Sequence, residues 1–158
     1  MMREEKIRRV PMLTSALVAL ALAIIPLPSV LDQLSPDFLV LVVFYWSIES
    51  PRAGGLALAF FSGLALDVIN GVVLGQHALA LTLMAAWATH LRLRLRVFSV
   101  LSQSLTIFML LTLYQFVLFW IDGATGNPVV NYGRWLAPVI GGAIWPILSA
   151  TLSRARER

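Results

Sequence analysis

The chain has no cysteine, which excludes disulfides, thiolate metal sites and cysteine nucleophiles, and nothing in it asks for an oxidising compartment. Charge is scarce too, at 13% of residues. No P-loop lysine motif, dinucleotide fingerprint or His-Glu-x-x-His sequence occurs, so phosphate-binding, redox and zinc-protease chemistry lack their usual residues. There is no solenoid-length repeat and no low-complexity linker. The longest polar stretch, 121–131, is too short for an independent soluble domain.

What is present is apolar. Of 158 residues, 59% are hydrophobic, and the mean hydropathy is +0.83. Those values lie outside the soluble range and describe an integral membrane protein. The formal charge of +4 would hint at nucleic acid in a soluble chain. Here the basic residues cluster at the ends of apolar runs, so topology accounts for them and no nucleic-acid partner is expected.

Six apolar runs, about 10–28, 37–49, 53–74, 75–91, 97–120 and 132–153, predict an all-α, six-helix transmembrane bundle in a single domain. The first follows a basic start but lacks a small-x-small cleavage site. It reads as an uncleaved span ended by Pro26, because proline lacks the donor a continuing helix needs. The second holds about twelve apolar residues, a rise of about 18 Å against a hydrocarbon core of about 30 Å. With both termini cytoplasmic, every Lys and Arg except Arg134 falls on the inner side, while Asp32, Asp37, Asn70, Asp122 and Asn131 fall outside. Omitting or flipping a span would scatter those charges, which supports the short second run as a crossing. Trp120, Tyr132 and Trp135 then mark the outer boundary, and Tyr45, Trp46 and Trp87 lie towards the inner one.

Asp67 lies inside the third run, with small residues at four-residue steps around it: Gly55, Ala59 and Gly63 before, Gly71 and Gly75 after. A carboxylate within a membrane span faces protein or water, and small residues on one face let a second backbone approach. The stripe suits close packing inside the bundle or contact with a partner. A weaker stripe, Ser15, Ala19 and Ala23, runs along the first span. Asp67 can be a hydrogen-bond anchor, a proton or ion site, or a catalytic carboxylate. The last two need a second titratable group at similar depth, and only His77 is near. An Asp–His pair without a nucleophile or metal-ligand set argues against an enzyme and against a bound cofactor. About 21 Å along its span, Asp67 sits in the outer third, within reach of Asn70, His77 or a neighbouring helix end. Arg92-Leu93-Arg94-Leu95-Arg96 reads as a cytoplasmic connection that sets topology on anionic lipid or docks a partner. Pro138 and Pro146, flanking Gly141-Gly142, should bend the last span.

Several pieces in fixed order resemble the MreD family of rod shape-determining membrane proteins. They are Ser35-Pro36-Asp37 leading into Leu41-Val42-Val43-Phe44-Tyr45-Trp46 and Pro51, then Gly63-Leu64-Ala65-Leu66-Asp67 with Gly71 and Leu74-Gly75. The Pro26-Leu27-Pro28 exit, Gln103, Phe119-Trp120 and Gly142-x-x-Trp145-Pro146 extend the likeness over nearly the whole chain. Ser35 stands where the family commonly carries arginine. The resemblance implies a multi-pass protein of the bacterial inner membrane without catalytic activity or cofactor. It also implies partnership with the bitopic protein MreC and, through it, with MreB and the lateral-wall glycosyltransferase and transpeptidase. The family is thought to share the six-helix fold of the substrate-binding subunits of energy-coupling-factor transporters. That fold, with Asp67, His77 and Asn70 towards the outer side, makes a small-molecule-binding transporter subunit the alternative function. Pro36, Asp37, Tyr45, Trp46, Gly63, Asp67, Gly71, Gly75, Trp145 and Pro146 are the candidate interaction or structural residues.

Overall fold

Residues 38–49 carry apolar side chains on every face, and a helix apolar all round is stable only when other protein or lipid surrounds it. The computed structural model describes residues 2–26, 28, 37–50, 55–126 and 132–157, apart from the side chains of 2–9, 156 and 157. Among them are six α-helices, one short 3-10 helix and no strand. The helices are α1 (Met2–Ile24), α2 (Phe38–Glu49), α3 (Gly55–Asn70), α4 (Gln76–Val97), α5 (Val100–Ala124) and α6 (Ala137–Glu157), with the 3-10 helix at Tyr132–Trp135. Leu27, Asp32, Ser35, Pro36, Pro51 and Asn131, all named above, lie outside the described residues.

The short helix α2 is the centre of the bundle. Each residue from Leu39 to Ile48 is buried, and α1, α3, α4 and α6 pack around it. Two polar groups inside this core are satisfied locally: Trp46 Nε1 donates to Ser15 Oγ of α1 at 2.9 Å, and Ser47 Oγ donates to the Val43 carbonyl at 2.8 Å. The buried stripe of α1 is Met12, Ala16 and Ala19, whereas Ala23, expected on that stripe, is exposed. Pro26 follows the end of α1 by two residues, as expected of a residue that cannot continue a helix.

Helix α1 starts earlier and ends earlier than the run 10–28, α6 is shifted towards the C-terminus from 132–153, and two further boundary differences shape the polar ends. The third run stops at Asn70, so Gly71 and Gly75 do not continue the small-residue stripe. They form the turn between α3 and α4. The Gly71 N–H donates to the Val68 carbonyl and the Val72 N–H to the Asp67 carbonyl, the double bond of a Schellman cap that requires a left-handed residue at Gly71. Its φ is +63°, and that of Gly75 is +101°, a region in which a side chain would be strained. The second difference is α4, which runs through Arg92-Leu93-Arg94-Leu95-Arg96 instead of ending at Leu91. Leu95 is buried, and Gln103 of α5 donates to the Leu95 carbonyl at 2.8 Å, closing the corner by satisfying a helix-end acceptor.

Among the described residues two helical stretches, Val100–Ala124 and Tyr132–Ala155, are long and apolar enough to cross a membrane. Phe60, Phe61, Leu79, Leu83, Leu105 and Met109 are exposed on the outside of the bundle. An outer surface this apolar suits lipid and not water.

Candidate functional site

The polar chemistry collects at the two ends of the bundle. At one end, Asp67 on the last turn of α3 is 1% exposed. Its Oδ2 accepts the Gly75 N–H at 2.8 Å and the Ala78 N–H at 3.5 Å; its Oδ1 accepts the His77 N–H at 2.7 Å. These amides open α4, whose cap position is held by Gly75, a residue with no side chain to accept them. A carboxylate from the preceding helix does that work, and its negative charge lies at the positive end of the helix dipole. His77 Nδ1 lies 2.9 Å from Oδ1 and holds the carboxylate from the side. Gly63, one turn earlier on α3, makes this reach possible. A Cβ there would lie 2.3 Å from Ala78 Cα and 2.6 Å from Ala78 N, so only glycine lets the two backbones come this close.

A second network, which the sequence analysis did not identify, adjoins the first through the next residue along. Gln76 Nε2 donates to Asp122 Oδ1, and Arg134 Nη1 donates to Asp122 Oδ2 at 2.7 Å. Arg134 Nε also donates to Gln115 Oε1 at 3.2 Å. The network joins the start of α4, the end of α5 and the 3-10 helix. Arg134 is the basic residue that broke the charge rule, and its guanidinium is matched by a buried carboxylate. The signal was available: a lone arginine on a side that otherwise collects acids needs a partner. Tyr114 of α5 is fully buried beside this cluster, with its ring centroid 6.4 Å from that of His77 and no partner for its hydroxyl among the described residues.

At the opposite end, Tyr45, Trp145 and Pro146 come together. The rings of Tyr45 and Trp145 are 6.4 Å apart at 53°, and Tyr45 meets Trp46 edge-on at 5.3 Å. Beside them Arg96 Nη2 donates to Glu49 Oε1 at 2.8 Å and to the Glu49 carbonyl at 3.1 Å. A cavity of about 70 Å³ and an open groove of about 340 Å³ lie here, with Tyr45, Glu49 and Ser149 walling both.

The structure therefore separates the candidate residues. Gly63, Asp67, Gly71 and Gly75 belong to the α3–α4 corner. Asp37 immediately precedes α2 and offers no side-chain cap to it, although its carbonyl accepts the Leu41 N–H. Trp46 lies in the core, and Tyr45, Trp145 and Pro146 form the far end. Gly63, Asp67 and Trp46 face other helices of the same chain, so the small-residue face of α3 is occupied from within. Asn70 is exposed and takes no part in the Asp67 bonds. Among the described residues no three His, Cys, Asp or Glu side chains converge as a metal site.

The chain is similar to the rod shape-determining protein MreD of Haemophilus influenzae, at 27% identity over 141 residues, covering 89% of this chain and 87% of that protein. No solved structure matches it. The family model described as rod shape-determining protein MreD matches residues 4–154, and the chain belongs to that family.

Proposed function

We propose that this protein is a non-enzymatic scaffold of the cell-elongation machinery, spanning the bacterial inner membrane six times with both termini in the cytoplasm. Its role in rod-shape determination follows from the family. The finer reading is that it binds MreC and, through it, connects MreB with the lateral-wall glycosyltransferase and transpeptidase. One observation favours architecture over chemistry: both oxygens of Asp67 are taken by amide donors of α4 and by His77. A carboxylate so engaged holds two helices together and has no lone pair aimed at a substrate. In this topology the Asp67 end is outside and the Glu49 end inside, and the Arg134–Asp122 pair removes the one exception to the charge rule.

The transporter-subunit alternative needs Asp67, His77 and Asn70 to face a ligand. Two of the three are committed to each other, and the third, Asn70, is exposed. A fold shared with energy-coupling-factor subunits would carry no such function by itself.

Tagged protein should co-purify with MreC from detergent-solubilised membranes, and depleting it should turn rod-shaped cells round. Rods that persist after depletion would end the functional reading. Rounding without MreC co-purification would leave the shape role and remove the named partner.

A further inference from the structure

The central helix is short, and its shortness leaves a hollow. α2 stops at Glu49, while α4 continues to Val97 and α6 to Glu157. The cavity and groove described above occupy the space past its end, between the last turn of α4, the start of α5 and the middle of α6. The groove walls are largely apolar, with Val100, Pro146 and Ala150 beside Tyr45. Ser149 and Ser153 spend their protons on their own helix, donating to the Pro146 and Ala150 carbonyls.

What the hollow has in excess is hydrogen-bond donors. Glu49 engages Arg96 only through Nη2, leaving the N–H groups of Nη1 and Nε without a partner among the described residues. The Arg96 side chain is 47% exposed, yet its plane is fixed by two bonds to one residue. Trp145, 3% exposed, lines the same cavity, and its indole N–H has no acceptor among the described residues. A pinned guanidinium with unused N–H groups matches a phosphate better than any other common anion in a membrane. Beyond the groove mouth, Val100, Leu101 and Leu105 of α5 and Ile147 of α6 are exposed and apolar, a surface for hydrocarbon chains.

We propose that this hollow is a phospholipid site: Arg96 holds the phosphodiester, the groove takes the glycerol backbone, and the acyl chains lie along α5 and α6. Glu49 cancels the formal charge of Arg96, so recognition rests on hydrogen-bond geometry and fit instead of net charge. This distinguishes the site from a general attraction of Arg92, Arg94 and Arg96 for an anionic surface, which would favour anionic lipid and fade with salt. The site adds to the scaffold reading and does not depend on which protein is scaffolded.

The test is native mass spectrometry of the purified full chain, delipidated in detergent and then offered phosphatidylethanolamine or phosphatidylglycerol. A single phospholipid should bind, with the two headgroups within about threefold of each other and little change on adding salt. Arg96→Gln should lower occupancy about tenfold, the loss expected for a charge-assisted hydrogen bond. Ala150→Phe should fill the groove and lower occupancy as far without changing the melting temperature, and it decides the matter alone if Arg96→Gln accumulates poorly. Arg92→Gln and Arg94→Gln should leave occupancy unchanged. Absence of bound phospholipid on folded wild type, strict preference for the anionic lipid, or full binding by Ala150→Phe would overturn the proposal. So would an Ala150→Phe protein that keeps its lipid but loses a co-purifying membrane protein, which would assign the groove to that partner.

Discussion

The two ends of the bundle use the same kinds of residue to opposite effect. At the Asp67 end a carboxylate, a histidine and the first amides of α4 satisfy one another, with the Asp67 side chain at 0% and that of His77 at 11% exposure. A second carboxylate and an arginine do the same nearby, at 8% and 18%. At the Glu49 end the ion pair is open, at 20% for glutamate and 47% for arginine, and an indole N–H beside it lacks an acceptor among the described residues. The buried charges at the Asp67 end are paired, although the neighbouring Tyr114 hydroxyl has no partner among the described residues. Paired charges rigidify a core, and partly paired ones invite something else to complete them. The difference separates an end that holds the fold from an end that can receive a ligand. Substitutions at the first should change stability, and substitutions at the second should change binding with little effect on stability.

The strongest way to break that division is at Gly63. Gly63→Leu, or even Gly63→Ala, drives a Cβ into the α4 backbone, where no flexible side chain can give way. The expected outcome is loss of folded protein, measured as detergent-soluble yield and monodispersity. Overpacking commonly costs roughly 1–3 kcal/mol, and more when backbone must move. Gly71→Ala makes the contrast: nothing lies within 4 Å of that position. Only the left-handed backbone is strained, for roughly 1–2 kcal/mol, so this variant should fold with a lower melting temperature. If Gly63→Ala melts as the wild type does, the α3–α4 crossing can open enough to relieve a 2.3 Å approach to Ala78 Cα.

Next in size is Asp67. Replacing it with leucine leaves the half-buried amides of Gly75 and His77 without acceptors, at roughly 1 kcal/mol for each unsatisfied group, the lower end for a buried donor. Asp67→Asn keeps one acceptor oxygen but turns an amide donor towards the other N–H groups, so about half of that loss is expected. Thermal melts in detergent should rank wild type, Asn and Leu in that order. Equal melting temperatures for Asn and Leu would mean that the charge, and not the acceptor count, holds the corner.

Much of this corner could be read from the chain, and the limits have physical causes. Gly63 and Asp67 share a helix face at four-residue spacing, and that periodicity brings small residues and a carboxylate to one seam. It does not say where the helix stops. Gly71 and Gly75 kept the same spacing by coincidence with turn chemistry, because a Schellman glycine and an N-cap glycine happen to fall four and eight residues after Asp67. The Gln76–Asp122–Arg134 network escaped because it joins residues 46 and 12 positions apart, and no local period encodes such a meeting. At the other end, Tyr45, Trp145 and Pro146 stood out one by one. That they share a cavity wall depends on the length of α2 relative to its neighbours.

The Asp122–Arg134 pair offers an intermediate case. Arg134→Gln removes one partner of a mostly buried pair and leaves Asp122 facing Gln76 alone. Breaking a buried ion pair costs about 3–5 kcal/mol, and the partial exposure of Arg134 places this one at the lower end or below. Combined with Asp122→Asn, the loss should be smaller than the sum of the two single losses, since the remaining charge no longer lacks a counterion. Additive losses in the double variant would show that the two side chains act separately.

The smallest stability effect is expected at the open pair. Glu49→Gln or Arg96→Gln should shift stability by about 0.2–1 kcal/mol, because half-exposed pairs gain little from each other in a solvated setting and are screened by salt. Glu49 nevertheless has a second task in this geometry, because its carbonyl and carboxylate fix the plane of Arg96. Glutamine keeps an oxygen that can accept from Arg96 Nη2 but removes the negative charge, so the guanidinium stays in place with its positive charge no longer neutralised. Glu49→Gln should therefore melt close to wild type while its retained phospholipid becomes selective for anionic headgroups and sensitive to salt. A large fall in melting temperature with this variant would make the Glu49 end as structural as the Asp67 end. The contrast between a closed end and a receptive one would then fail.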